Sequence, residues 1–459
     1  MALSRLPLLG WLVRSRWPLF FARAITLAGF LLTILAGLAG SVVGSHNFAV
    51  IFVWIAWWTL LKLGFIPLGG RSWCAVCPIP MPGEWLAQGG IFPDASRGGH
   101  GLRLAWPVHL DLGRLGRLRL RGAWFQALEF LGVGLFSVVT LTSPRVTGWV
   151  LLGILAAATA LALVFDGSAT PAGTRNGPSG RVFCNSFCPI GGFTGLYAQA
   201  APVEVRVDDL KVCAAHTEKT CAAACPWGVY VAAQRENGPC GLCMECLRAC
   251  PKDNVSFNLR AFGADLVESR KLPRLDETYL ALVMLSCGMA FSAIFLGPWG
   301  GLRRAAYAVG SPDWWLFAAV YLLLAGLALP GLFALALRLA GLVRDWRTTL
   351  ARATRPLIPL GLAAWIAFTV SFSFAKVSYI LPVLSDPFGL GWNLFGTAHL
   401  TFAPDVSAIT PLLQAGVLLV GMLVMGKIAR RDAITPRQAV AVQGFGLLVT
   451  LGMLALLLA

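Results

Sequence analysis

Apolar runs long enough to cross a bilayer recur nine times along this chain, at about 24–44, 48–68, 123–143, 147–165, 278–297, 314–337, 357–375, 408–426 and 438–458. A helix needs roughly 20 residues to span about 30 Å of hydrocarbon. Backbone groups find no water to bond there, so each run must satisfy them internally, as a helix. Composition points the same way. The 459 residues are 57% hydrophobic and only 13% charged, with a mean hydropathy of +0.72, whereas soluble domains carry about 25% charged residues.

The formal net charge of +16 invites a nucleic-acid reading, which the positions of the charges exclude. With the amino terminus inside, where Arg5, Arg14, Arg16 and Arg23 lie, and the sides alternating, only Arg145, Arg303 and Arg304 of the 37 Lys and Arg residues fall outside, with Lys376 at a span end. That is the positive-inside pattern of a bacterial-type cytoplasmic (inner) membrane. The first run is too long for a signal-peptide core and lacks a small-residue cleavage site, so it is expected to stay attached. The carboxyl terminus is expected outside.

Five segments follow: a first transmembrane hairpin (1–68), a cytoplasmic stretch (69–122), a second hairpin (123–165), a cytoplasmic cysteine-rich domain (166–277) and a five-span membrane domain (278–459). In the first cytoplasmic stretch, Leu110, Leu112, Leu115, Leu118 and Leu120 interleave with Arg114, Arg117, Arg119 and Arg121. This reads either as a segment lying on the anionic inner leaflet or as a solvated loop whose arginines set topology. The cysteine-rich domain opens on the flexible linker "DGSATPAGTRNGPSG". Each hairpin leads into a Cys-Pro-Ile motif, "WCAVCPIP" and "FCNSFCPIGG", the mark of a loose internal repeat.

All but one of the 12 cysteines lie in the inside segments. That side is reducing, so their paired spacings point to metal rather than disulfides. The exception, Cys287, reads as a small buried hydrophobe. In "CGLCMECLRACPKDN", Cys240, Cys243, Cys246 and Cys250 follow Cys-x2-Cys-x2-Cys-x3-Cys-Pro, the run of bacterial iron–sulfur proteins whose fourth cysteine serves the other cluster. In that arrangement Cys225, followed by Pro226, completes the cluster of Cys240, Cys243 and Cys246. Cys250 then joins Cys213, Cys221 and the residue at 216, which is His216 where ferredoxin subunits of respiratory molybdenum enzymes often have cysteine. Three readings of the second cluster follow: His216 ligates the fourth iron, as imidazole does in Rieske centres; another group or solvent does so; or the cluster is a 3Fe–4S type. Cys74, Cys77, Cys184 and Cys188 either share a third site or form two independent pairs.

No Cys-x2-Cys-His occurs and no histidine lies deep in a span, so neither covalent nor bis-His haem is expected. "DGSAT" lacks the core of a flavin-attachment stretch, and no flavin is expected. Ionisable groups near spans are costly and often functional. Glu129, Lys376 and His399 are therefore weak candidates for a quinone site, the last two alongside Asp386, Trp392 and Asn393. An interfacial carboxylate, snorkelling and an aromatic belt explain the same residues.

These motifs over about residues 25–275 resemble the NapH/NosR-type membrane polyferredoxins. The match is residue by residue at Cys184, Cys188, Cys240, Cys243, Cys246 and Cys250; the short "CAVCP" spacing, His216 and the later spans depart from it. The resemblance implies electron transfer between the quinone pool and a partner respiratory or reductase complex. The expectation is a polytopic α-helical membrane protein of about nine spans with a cytoplasmic two-cluster ferredoxin-like α+β domain. It would hold two 4Fe–4S clusters, or three, and relay electrons as one subunit among others, without binding nucleic acid. Rival functions are an iron–sulfur maturation factor for an oxidase or reductase, and a membrane anchor.

Overall fold

Among the described residues of the computed structural model, eight helices are long and apolar enough to cross a membrane: Trp17–Ala39, Phe48–Gly69, Pro144–Leu163, Leu275–Phe295, Pro312–Leu339, Leu357–Phe374, Thr410–Asp432 and Pro436–Leu458. They make this a mostly helical membrane protein. The structure describes residues 1–88, 122–164, 181–268, 272–341, 345–402, 406, 408–432 and 435–458. The basic stretch at 110–121, the linker at 166–180, His100 and His109 lie outside the described residues.

The third expected span differs from the unbroken run anticipated at 123–143. It is a helix of 13 residues, Ala123–Leu135, then Phe136 at φ −96°, ψ 7°, then a second helix, Ser137–Thr142. The cause is local. Gly134 lies against the Tyr321 hydroxyl, where any Cβ would collide. The Ser137 hydroxyl donates to the Gly134 carbonyl at 2.7 Å, turning a backbone group aside from the helix.

The chain divides into two compact units. The second comprises Leu32–Gly64, Gln126–Val150 and Arg270–Ala459. Its core is a long apolar seam through Leu282, Leu285, Leu360, Leu418, Met425 and Phe445. Helices Leu275–Phe295 and Leu357–Phe374 are apolar on every side and mostly buried, as a helix at the centre of a bundle must be. Gly421 lets its helix close on Ala363, and Gly446 closes on Met425. Trp365 is fully buried at the centre and donates its indole N–H to the Met284 carbonyl at 2.9 Å. Helix Phe48–Gly69 carries two π-helical stretches, Ile51–Trp57 and Leu61–Phe65.

The first unit comprises Met1–Leu31, Phe65–Phe125 and Leu151–Ser269 and holds every cysteine except Cys287. Its sheet has two antiparallel strands, β1 (Val203–Val207) and β2 (Val255–Leu259), with Val205 opposite Phe257. The amino-terminal residues extend this sheet along β2. Ala2 bridges Asn258, Leu259 N–H donates to the Met1 carbonyl at 2.8 Å, and Phe257 N–H donates to the Ser4 hydroxyl at 3.2 Å. Val13, on helix Pro7–Arg14, enters the core beside Val205, Cys221, Val231, Leu242 and Leu247. Arg14 grips both carboxylate oxygens of Asp253, at 2.8 and 3.2 Å. Residues that read as topology charges thus also hold the amino terminus onto the cysteine-bearing fold.

Candidate metal-cluster sites

Residues 240–250 form a tight loop in which Leu242 and Met244 take left-handed backbone, at φ 51° and 64°. Such turns point successive N–H groups inward. Leu242 N–H faces the Cys240 sulfur at 3.5 Å, and Val229 N–H faces the Cys225 sulfur at 3.4 Å. Cys243 feels the thiols of Cys225 and Cys240, and Cys246 feels those of Cys240, Cys243 and Cys225. The structure therefore sets these four together. Burial pushes the Cys225 thiol up to about 11 and raises Cys240, Cys243 and Cys246 as well. Thiols that burial and one another hold protonated become thiolates when a metal centre supplies compensating charge.

The second set adjoins the first, because Cys246 also feels Cys221. Cys221 is raised by burial and then by Cys250 and Cys213. Asn254 organises this group: its backbone N–H faces the Cys250 sulfur at 3.3 Å and its amide faces the Cys213 sulfur at 3.4 Å. His216 is half-buried, and its Nδ1 is buried with no hydrogen-bond partner among the described residues. A buried imidazole nitrogen without a partner is a polar group awaiting one, which suits a ligand.

The two Cys-Pro pairs form one group. Cys77 feels Cys74 and Cys188, and Cys184 feels Cys188, Cys77 and Cys74. Cys188 precedes Pro189 at the start of helix Pro189–Tyr197, and its sulfur accepts from Gly191 N–H at 3.2 Å. Burial pushes the Cys188 thiol up to about 12. The Cys74 sulfur contacts the Thr194 hydroxyl at 3.5 Å. The first span holds the Cys74–Cys77 turn: Arg23 donates to the Ala75 carbonyl at 2.8 Å and Thr26 to the Val76 carbonyl at 2.6 Å.

Two arginines missed by motif reading support this group. Arg181 is wholly buried, pairs with Glu84, and donates to the Cys74 carbonyl. Burial alone would lower its pKa, but Glu84 and Cys184 outweigh that and hold the guanidinium above its usual range. Arg71 donates to the carbonyls of Cys184 and Gly238, both at 3.2 Å. Together they bring positive charge to a group of sulfurs. No spacing rule announces either residue, since each acts on partners more than 100 residues away.

Among the described residues, no three His, Cys, Asp or Glu side chains close on a point that one metal ion would occupy. The thiols feel one another without converging on a single point. An iron–sulfur cube takes its thiolates at separate corners, and the N–H groups aimed at sulfur are the outer contacts such a cube draws on.

Glu129 is half-buried on helix Ala123–Leu135; Lys376 is exposed, with its ammonium 5.7 Å from the Tyr379 ring centroid; His399 is exposed. Asp386 spends its carboxylate on Leu390 and Gly391 N–H groups, at 3.0 and 2.6 Å, as a turn residue. Sequence reasoning also passed over Lys62, which charge counting assigns to the inner end of its span. The structure buries it completely in the π-helical stretch Leu61–Phe65. Its Nζ lies 4.4, 4.7 and 5.0 Å from the ring centroids of Trp58, Trp365 and Phe368, with no hydrogen-bond partner among the described residues. A lysine in an otherwise apolar span was the available signal.

No family model matches the chain, and no solved structure matches it. It is similar to an uncharacterized protein of Methanocaldococcus jannaschii, 24% identical over 244 residues that cover 52% of this chain and 83% of that protein.

Proposed function

We propose that this chain is a membrane-bound iron–sulfur electron-transfer protein that relays electrons between the quinone pool and a partner respiratory complex. The observation that carries this reading is the gathering of eleven cysteines into three adjoining groups, with backbone and amide N–H groups aimed at five of the sulfurs. Cys225, Cys240, Cys243 and Cys246 would hold one cluster. Cys213, Cys221 and Cys250, with His216, would hold a second. Cys74, Cys77, Cys184 and Cys188 would hold a third.

When bound, the clusters supply reversible one-electron chemistry. The chain supplies the rest. Leu242, Val229, Asn254 and Gly191 stabilise negative charge on the sulfurs through their N–H groups, while Arg71 and Arg181 add full positive charge near the third group. Burial of Cys74, Cys184, Cys221 and Cys243 keeps water from the sulfurs. The arrangement around β1 and β2 has the cysteine pattern of a two-cluster ferredoxin, and the whole resembles the NapH/NosR-type polyferredoxins. The alternation of sides that leaves only Arg145, Arg303 and Arg304 outside, with Lys376 at a span end, supports a cytoplasmic side for all three groups.

Low-temperature EPR during stepwise reduction, with iron and sulfide analysis of the purified full chain, tests this. The expected result is about 12 irons per chain if all three centres are cubes, with signals appearing in separate reductive steps. Iron for a single cluster, with one signal at full reduction, would overturn the relay.

A further inference from the structure

We propose that Trp227 is the bridge by which the Cys-Pro centre exchanges electrons with the centre of Cys225, Cys240, Cys243 and Cys246, which sets the order of the relay. The inference rests on the proposed function and adds a path to it. Three centres could be connected in several ways, and the packing around one indole selects among them.

Trp227 is 6% exposed and packs in one apolar group with Cys74 and Ala75 on one hand and Cys243 and Cys225 on the other. It therefore shares one packed group with a ligand of each centre. Its ring is seated on the Cys240–Cys243 loop itself: a Cβ on Gly241 would collide with the indole. Only glycine lets the ring come so close to that backbone. On the side of the Cys-Pro centre, the Arg181 guanidinium lies 4.2 Å from the ring centroid, and Arg71 lies 6.0 Å away. Arg181 also donates its own backbone N–H to the Pro226 carbonyl at 2.9 Å. The residue beside Trp227 in sequence is thereby tied to the arginine that grips Cys74. Finally, the indole Nε1 is buried and has no hydrogen-bond partner among the described residues. A buried N–H with no protein acceptor, set between two groups of sulfurs, has the sulfur of an occupant as its natural acceptor.

The second set has a different neighbour. Cys221 packs in one apolar group with Cys240 and Cys246 of the first set, and the turn that carries Cys213 leads into exposed Ala214 and Ala215. The order is therefore Cys-Pro centre, Trp227, first centre, second centre. Its inner end is fixed to the first span through Arg23 and Thr26, and its outer end faces water. In the step that crosses Trp227, one electron leaves one centre and enters the other. One is oxidised and one reduced; no bond forms or breaks, and no proton moves.

Rapid-freeze EPR of the full chain, mixed with reduced methyl viologen as a soluble one-electron donor, reads the path directly. In the wild type, reduction should reach the second and first centres before the Cys-Pro centre. In Trp227→Leu, the second and first centres should fill at the wild-type rate, while the Cys-Pro centre fills more slowly by an order of magnitude or more. Trp227→Phe keeps an aromatic ring and should restore most of that rate. Wild-type filling of the Cys-Pro centre in Trp227→Leu, at full iron content, overturns the bridge. Should the leucine variant lose iron, Trp227→Phe decides by potentiometric titration. Loss of the indole N–H should shift the midpoint potential of the Cys-Pro or first centre and leave the second unchanged; three unchanged potentials overturn the bridge. Wild-type protein with no iron at the Cys-Pro cysteines would overturn the third centre itself, and is told apart by iron analysis before any variant is made.

Discussion

Arg181, in the first unit, and Lys62, in the second, are both basic side chains with no exposed surface. Arg181 meets a carboxylate, a peptide carbonyl and the face of an indole. Lys62 meets the faces of three rings and no hydrogen-bond partner among the described residues. A planar guanidinium with a bidentate partner fixes the relative position of everything it touches. It makes the Cys-Pro group a rigid assembly of residues far apart in sequence. An amino group boxed by aromatic rings packs on their faces, with no hydrogen-bond acceptor among the described residues. The contrast separates a charge used as structural fastening from a basic group tolerated in an apolar interior.

The most disruptive test is Arg181→Leu, which leaves Glu84 as a buried, unpaired carboxylate. It should destabilise the chain by about 3–5 kcal/mol in thermal or chemical unfolding followed in detergent, and should lower iron content at the Cys-Pro group. Arg181→Leu with Glu84→Leu should recover much of the stability but not the iron. If the double variant is as unstable as the single, the ion pair is not what Arg181 contributes. Within the same unit, Asp265 is 2% exposed and shared by Arg206 and Arg260, at 3.4 and 2.5 Å. Because Arg260 remains, Arg206→Lys should cost only about 1 kcal/mol in the same unfolding measurement. A loss as large as that of Arg181→Leu would show that the two arginines are not interchangeable. The smallest effect is expected for Lys62→Met. Its lost ring contacts are offset by relief of a buried polar group without a hydrogen-bond partner among the described residues, so stability should stay within about 1 kcal/mol of the wild type or rise. A loss on the scale of Arg181→Leu would reveal an anionic partner for Lys62 and dissolve the contrast.

What the sequence discloses depends on how local the cause is. Cys240, Cys243, Cys246 and Cys250 sit on one short loop, so their spacing already describes a shape, and Cys225 follows from the proline beside it. Apolar runs are local too, and eight of the helices are legible from them. The break at Phe136 is not, because it arises where Gly134 meets Tyr321 from a distant helix. Arg71, Arg181 and Trp227 carry no motif; their roles exist only once residues 74, 184 and 241 are brought beside them. Lys62 was hidden by its place near a span end, where a lysine is ordinarily read as reaching for the headgroups. The π-helical turn that carries it has no reliable sequence signature.

The pairing of residues 1–4 with β2 has a consequence for how the chain is threaded. Residues joined in one small sheet lie on the same side of a membrane, so the chain between Arg14 and β1 must cross an even number of times. Among the described residues, the unbroken candidates in that interval, Trp17–Ala39, Phe48–Gly69 and Pro144–Leu163, are odd in number. The broken helix, 13 and 6 residues on either side of Phe136, reaches about 30 Å at about 1.5 Å per residue, long enough to make that number even. Three hydrogen-bonded residues at the front of the chain thus constrain the path of a segment more than 100 residues away.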